Sequence, residues 1–447
     1  MADTPETTAN PATPAPDAAS TDGTTSPTTP KIWQIILIAV VAIAFTAIWL
    51  GLYELLNKGI WSSSFVTSHR WTVLVGALLF SLIVGLAQKF LRAPTVIHGG
   101  GMESMKTGAV SNAYDTFPGA LVSSYASLLS GASVGPEGPL GILVQKIAAW
   151  ARARLNIPRR TALGFDVAAS ASAYNGIIGS PLFTGVLATE FQVGGSMGLI
   201  FLVWNLLAGV VGYLIYTLLG LHVFAKYIPF KPISSITVPY VIYAILLGVL
   251  GAALALFTAA AFQVIGRAVE RAFNGRVMLR ILVAGLVIGI IVYFVPEVGF
   301  AGETQIFPMI DNPAKYGVIA LLLLGILKLL LLAFSFKSGY LGGPTFPLLF
   351  GCTMFGMALS LIFPGVPVSI FVLCIEAGAI SLMLSAPLTS ILLVAIIGTA
   401  DPYTIALLVL SSVVALLIGN AVKRLQAQRV ARRAAQRSMP HPQASRP

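Results

Sequence analysis

Long apolar stretches, broken by short polar or Gly/Pro segments, run through most of this chain. Residues 32–56, 71–90, 199–219, 240–262, 277–295, 318–334 and 404–421 are each close to the roughly 20 residues that a helix needs to cross a bilayer. Shorter apolar runs lie between them at 120–129, 140–150, 346–363, 370–384 and 388–397. Several are too short, or too broken by Gly and Pro, to span alone. The mixture predicts tilted and discontinuous helices rather than a plain bundle. The runs are continuous, whereas membrane strands show an alternation of polar and apolar residues over about ten residues, so a β-barrel is excluded.

Composition agrees. The 447 residues are 57% hydrophobic and 10% charged, with a mean hydropathy of +0.88. Soluble domains carry about 25% charged residues, so lipid must cover much of this surface. The net charge is +11, yet nucleic acid is not the partner it implies. Lys423, Arg424, Arg429, Arg432, Arg433 and Arg437 follow directly on the last apolar run. That is a positive-inside signal, which predicts a cytoplasmic C-terminus with some affinity for anionic lipid. Cys352 and Cys374 lie in apolar runs and read as small buried hydrophobes. No histidine pair has metal-ligand spacing, and no cofactor is expected. Trp33, Trp49, Trp61 and Trp71 fall near the ends of spans, as interfacial anchors do.

The predicted organisation is a disordered Thr/Pro/Ala-rich segment over 1–30, one membrane domain over 31–422, and a basic cytoplasmic tail over 423–447. The start does not read as a signal peptide, and no soluble regulatory domain fits in the remainder. An internal echo divides the membrane domain. Gly135-Pro136-Glu137-Gly138-Pro139 opens one apolar run, and about 44 residues beyond Glu137 comes Ser180-Pro181-Leu182. Gly342-Gly343-Pro344-Thr345-Phe346-Pro347 opens another, and about 42 residues beyond Thr345 comes Ala386-Pro387-Leu388. Paired Gly/Pro-interrupted segments in two halves point to a transporter repeat and its binding site.

These breaks suit an anion. Proline is tolerated in a helix's first turn, and glycine allows a sharp approach and close contact. Each break should therefore start a helix inside the membrane, with unpaired N–H groups and a partial positive charge at its start. Two such starts aimed at one place bind an anion without a full cation, weakly enough to let it leave. Glu137 lies inside the first break. A carboxylate there takes the place an anion would take, plugging the path when charged and leaving when protonated. Its alternative is a structural role, as a helix cap or the partner of a base such as Lys328. Lys328, among leucines, is expected to be chiefly structural. Asp401 before Pro402 reads as an N-cap. His98 reads as a loop residue.

At these residues the chain resembles the CLC chloride channels and transporters. Gly135 to Pro139 resembles the family's G-(R/K)-E-G-P segment. Leu327-Lys328-Leu329-Leu330 through Ser338-Gly339 and Gly342-Gly343 to Pro347 resembles the stretch leading into its G-x-F-x-P motif. Tyr174-Asn175 through Ser180-Pro181-Leu182 to Glu190 resembles its F-N-A-P-L segment, and Ala386-Pro387-Leu388-Thr389-Ser390-Ile391 its A-P-L-T-G-I segment. The four occur in order between about residues 70 and 420. The resemblance implies an all-α membrane fold of two inverted repeats, a homodimer with one pore per subunit, and cytoplasmic termini in the cell membrane of a prokaryote. It implies that Glu137 is the gating glutamate. It also implies that backbone around Gly135, Pro136 and Gly138, and around Gly343, Pro344, Thr345 and Phe346, lines the anion path.

Departures narrow the function. Pro136 stands where the family has a basic residue. The family's G-S-G-I-P loop appears only as Gly99-Gly100-Gly101-Met102-Glu103-Ser104, so the backbone at Gly100 and Gly101 is expected to replace the serine. Thr345 holds the phenylalanine position, and Tyr403 comes too early to be the pore tyrosine. Glu190 is followed by Phe191, where proton-coupled members often carry an inner glutamate. Glu190 and Glu376 remain as candidate proton carriers. Passive chloride conduction is therefore the first expectation, with a proton-coupled exchanger of chloride or fluoride as the alternative. No H-E-x-x-H, G-x-S-x-G or paired intramembrane aspartate supports an enzyme.

Overall fold

The structure, a computed structural model, describes residues 30–94, 114–192 and 199–437. Among these residues it is helical, with no strand. The first half holds α1 (Ile32–Trp61), the one-turn α2 (Ser64–Ser68), α3 (Trp71–Phe90), α4 (Phe117–Leu129), α5 (Glu137–Leu155), α6 (Arg159–Ala173), α7 (Pro181–Gln192) and α8 (Leu199–Leu218). The second half holds α9 (Val238–Phe273), α10 (Val277–Phe294), the short α11 (Phe307–Asp311), α12 (Pro313–Ser338), α13 (Thr345–Ile362), α14 (Val368–Leu384), α15 (Pro387–Ile397) and α16 (Pro402–Arg437). Eight of the described helices are long and apolar enough to cross a membrane. The protein is a multi-pass membrane protein. Its outward faces carry Leu218, Val238 and Ile319, at 82%, 74% and 75% exposure, as lipid contact requires.

The halves repeat one another. Helix starts at Ile32, Trp71, Glu137 and Pro181 recur at Val238, Val277, Thr345 and Pro387, which are 206, 206, 208 and 206 residues later. The same neighbours pack in each half: α1 on α6 and α9 on α14, α5 on α6 and α13 on α14, α6 on α8 and α14 on α16. Equivalent helices also meet across the seam, α3 against α10 and α7 against α15. Gly285 and Gly289 of α10 allow this by lying directly on Ser81, Ala77 and Leu74 of α3. Small residues let helix backbones approach where lipid offers no hydrophobic drive.

The structure departs from the sequence pattern in three places. Helix α6 was not legible as an apolar run. Its residues are mainly Ala, Ser and Gly, with Asp166 among them, and almost all its described positions are buried. Surrounded by protein, it needs small packing residues and never meets lipid; Asp166 is paired with Arg152 Nε at 2.7 Å. Helix α9 continues past its apolar run to Phe273, because Arg267, Glu270 and Arg271 are sound helix formers that leave the membrane without a breaker. It ends at Asn274, in left-handed conformation. Trp49 is not an interfacial anchor. It is 1% exposed, and its indole N–H donates to Ser124 Oγ of α4 at 3.3 Å. Its place at mid-helix against a polar neighbour outweighs its nearness to the end of an apolar run. Trp33 and Trp71 are exposed.

Other expectations hold. Cys352 and Cys374 are free and fully buried. Asp401 caps α16, its carboxylate accepting from the N–H groups of Tyr403 at 2.9 Å and Thr404 at 3.0 Å.

Candidate functional site

The two Gly/Pro breaks meet. Gly135 N–H donates to Gly343 O at 2.8 Å, and Gly343 N–H donates to Gly135 O at 2.7 Å. This is an isolated antiparallel bridge between equivalent residues of the two halves. An antiparallel pair of equivalents that exchanges both hydrogen bonds is what a local two-fold axis through the bridge produces. The repeats are therefore joined at the point where each has its break.

Pro136 and Pro344 follow the bridge, and α5 and α13 start at Glu137 and Thr345. Both starts are buried deep in the fold. Gly138 lies so close to the Gly342 carbonyl that a Cβ would overlap it. At Gly135 and Gly343 a Cβ would instead overlap the Glu137 carboxylate. Close approach of backbone requires glycine at Gly138, whereas at Gly135 and Gly343 a methyl would have to displace the Glu137 side chain.

The side chain of Glu137 folds across the seam. Its Oε1 accepts from the backbone N–H of Thr345 at 2.7 Å, the first residue of α13. Its Oε2 has no hydrogen-bond partner. Glu137 is 5% exposed, and Tyr174 donates its hydroxyl to the Glu137 carbonyl at 2.8 Å. A carboxylate from one repeat thus sits on the positive end of a helix from the other, where a free anion would also be favoured. It does not pair with Lys328. That ammonium is fully buried and donates to the carbonyls of Val298, Gly299 and Phe300 at 3.0, 3.0 and 2.7 Å. Lys328 ties down the loop before α11, as its structural expectation had it.

Two cavities flank the seam, and Phe346 lines both. One, of about 390 Å³ with its mouth, is bounded by Glu137, Tyr174, Phe183, Thr345 and Thr389. The other, of about 360 Å³ with its mouth, is bounded by Lys226, Glu303, Phe350, Thr353 and Glu376. The Phe346 ring stands edge-on to Phe224, with centroids 5.1 Å apart.

The structure therefore brings together Gly135, Pro136, Glu137, Gly138, Gly343, Pro344, Thr345 and Phe346. Glu376 lies in the second cavity, apart from Glu137. Glu190, on α7, lies against the start of α15, one hydrogen bond behind Thr389, which bounds the Glu137 cavity. It accepts from Leu388 N–H at 3.0 Å, Thr389 N–H at 2.7 Å and the Thr389 hydroxyl at 2.6 Å. With three donors it serves as a cap that ties α7 to α15 across the repeats. Replacing Glu190 with alanine should lower stability by about 0.5–2 kcal/mol, the range for a lost cap, read as thermal unfolding in detergent. A stability equal to the parent's would refute the cap role. Gly100, Gly101 and His98 lie outside the described residues.

Two residues of the site went unread in the sequence. Tyr174 carries no signal beyond its place beside Asn175. Glu303 had one: Gly299, Glu303 and Thr304 echo Gly99, Glu103 and Ser104 at a spacing of 200 residues.

Comparison with known proteins supplies the family. The family model described as "Voltage gated chloride channel" matches residues 80–420. The chain is 30% identical over 233 residues to "Uncharacterized protein MJ0305" of Methanocaldococcus jannaschii, covering 50% of this chain and 54% of that one. It is 25% identical over 266 residues to "Putative ion-transport protein YfeO" of Escherichia coli, covering 59% and 62%. The chain thus spans between half and two thirds of the length of these curated relatives. Among solved structures, a slow cyanobacterial Cl−/H+ antiporter superposes with a TM-score of 0.71 at 19% identity, covering 88% of this chain and 94% of that one. A CLC-type fluoride/proton antiporter superposes with a TM-score of 0.67 at 19% identity, covering 87% and 94%. These likenesses show the fold, and it is an all-helical CLC fold of two inverted repeats. With a family model that covers most of its length and a fold shared with CLC transporters, the chain belongs to the voltage-gated chloride channel family.

Proposed function

We propose that this protein carries a small anion, chloride first, across the membrane through the seam at Gly135 and Gly343, with the Glu137 carboxylate as its plug. One observation supports this above the others: the carboxylate of Glu137 accepts from the amide that starts α13. An anion arriving there competes with it for the same N–H group and the same helix end. Backbone around Gly135, Pro136, Gly138, Gly343, Pro344 and Thr345 supplies the remaining surface. Among the described residues no full cation bonds to Glu137 or to the start of α13, which suits weak binding and rapid release.

Passive permeation is the first form of this function, because Phe191 stands where the family's proton-coupled members often carry glutamate. Proton-coupled exchange is the second form. The two antiporters that share the fold favour it, as does the presence of a second buried carboxyl, Glu376.

Orientation follows from charge. Ile233 N–H donates to Asp401, so α9 and α16 start side by side. They pack along each other, which supports a common side for Arg267, Arg271, Arg276, Lys423 and Arg424. That concentration marks the cytoplasmic face. The inverted relation supports the same face for the start of α1. A homodimer with one path in each subunit is the assembly that the family resemblance implies.

The test is chloride efflux from liposomes that hold the purified protein, with external pH recorded and the voltage set by valinomycin. Chloride flux without proton movement supports a channel. Chloride flux with proton movement against a gradient supports the exchanger. Flux of fluoride in place of chloride keeps the path and moves the substrate. Absence of all anion flux from folded protein would sink the proposal.

A further inference from the structure

The cavity beyond Phe346 holds more ionisable chemistry than an anion path needs. Glu376 of α14 is 3% exposed. Its one hydrogen bond joins Oε1 to Thr353 Oγ1 of α13 at 2.6 Å. The same hydroxyl lies 2.9 Å from the carbonyl of Leu349. A hydroxyl has one proton and two acceptor sites. If that proton goes to Leu349, the proton in the short bond must come from the Glu376 carboxyl. If the hydroxyl turns to Glu376, the carboxyl is left as acceptor. Rotation of one bond therefore lets the pair hold an additional proton or release it without breaking its contact.

The surroundings separate Glu376 from the other buried acids. Glu190 has three donors and is satisfied as a carboxylate. Asp166 is bonded to Arg152. Among the described residues, the ionisable groups facing Glu376 are Glu303 and Lys226 across the cavity and the thiol of Cys352 beside it, with Lys328 behind the Phe350 ring. Of the other helices packed on α14, α15 carries no ionisable residue and α9 brings only the Tyr243 ring, against Phe371. From α16 the contact is the Ser411 hydroxyl, on the Cys374 carbonyl. None of these puts a cation on the Glu376 carboxyl. Glu303 has one buried oxygen, Oε2, without a partner. The cavity has room for roughly two waters between these groups.

We propose that Glu376 and Thr353 form a proton-loading site, fed through the cavity lined by Glu303 and Lys226 and divided from Glu137 by the ring of Phe346. In the loading step a hydronium ion in the cavity gives its proton to the Glu376 carboxylate. An O–H bond forms on Oε1, an O–H bond of hydronium breaks, and water remains. The reverse step releases the proton to water. When the Phe346 ring moves aside, water joins the two cavities and the proton passes to the Glu137 carboxylate. The site has no counterpart in the position of Glu190, which lies against the start of α15.

This site rests on the exchanger form of the proposed function, and the test separates the two. Chloride and proton fluxes are recorded together from liposomes holding the parent protein or the variants Glu376→Gln, Glu303→Gln, Thr353→Val and Thr353→Ser. Chloride flux reports that each variant is folded. The expected result is that Glu376→Gln lowers proton flux about tenfold or more while chloride flux stays within about threefold, a tenfold change being about 1.4 kcal/mol. Thr353→Val should lower proton flux in the same direction, and Thr353→Ser, which keeps the hydroxyl, should restore it. Glu303→Gln should slow proton flux by a smaller factor. Parent-level proton flux in Glu376→Gln would overturn the site. So would chloride flux without proton flux in the parent, which leaves the channel form standing. Absence of anion flux in the parent removes the function on which the site rests.

Discussion

Replacing Glu137 with glutamine should raise chloride flux about tenfold at neutral pH and abolish its rise on acidification. The parent carboxylate holds the amide of Thr345 with one oxygen while the other is unpaired, so its charge is what keeps it on the start of α13. Glutamine keeps the shape and removes the charge. The helix end, which favours an anion by up to about 2 kcal/mol in a partly buried setting, then holds the side chain less well and is open to chloride. In the parent protein, lowering the pH protonates Glu137 and has the same effect. The sign is fixed: flux rises as pH falls in the parent and is flat in the variant. The measurement is chloride efflux from liposomes across a series of external pH values. A variant that keeps the parent's pH dependence would show that another group is the gate, and equal flux at every pH would show that Glu137 is structural.

The second large effect is expected at Gly138. Its missing Cβ leaves room for the Gly342 carbonyl and for the Gly343 N–H, which is one of the two donors of the bridge between the repeats. Gly138→Ala must displace backbone, because no rotatable side chain stands in the way. Overpacking costs about 1–3 kcal/mol, and losing the paired hydrogen bonds of Gly135 and Gly343 adds about 1 kcal/mol for each. The variant should unfold at a clearly lower temperature in detergent and lose most of its anion flux. Gly343→Ala provides the contrast. There the added methyl meets the Glu137 side chain, which can swing away. That variant should stay closer to the parent in stability and act as an unplugged path. Parent-like stability in Gly138→Ala, or equal damage from both changes, would refute this account of the seam.

Much of this was legible in the sequence because the breaks are written in residues with few alternative uses. Gly-Pro and Pro-Leu pairs at matching distances in the two halves predicted helix starts at Glu137, Pro181, Thr345 and Pro387, and the helices start there. The ends of α3 and the start of α10 followed from the apolar runs alone. What the sequence concealed is cross-repeat contact. Nothing local in Gly135 or Gly343 states that they bond to each other, 208 residues apart. Glu190 is a candidate proton carrier in the sequence through its place in the segment resembling F-N-A-P-L, and nothing there shows what holds it. Its donors, Leu388 and Thr389, come from the other half. Lys328 is buried by three carbonyls from a loop some 30 residues earlier, a partnership that no side-chain pattern records. Helix α6 was missed because hydropathy detects lipid, and α6 touches protein.

The bridge between Gly135 and Gly343 has a consequence for motion. It fastens the two repeats at the one place where transporters with rocking halves would need to part. Here the backbone of the two repeats is tied together by paired hydrogen bonds beside the Glu137 carboxylate. If an anion passes there, the moving parts are a carboxylate on a short tether and one aromatic ring. Side chains of that size reorient in picoseconds to nanoseconds when free, against microseconds to milliseconds for the swing of a domain. The ceiling on turnover would then be set by how tightly one glutamate is gripped rather than by the swing of a domain, and a single substitution at the grip would raise the rate of passage.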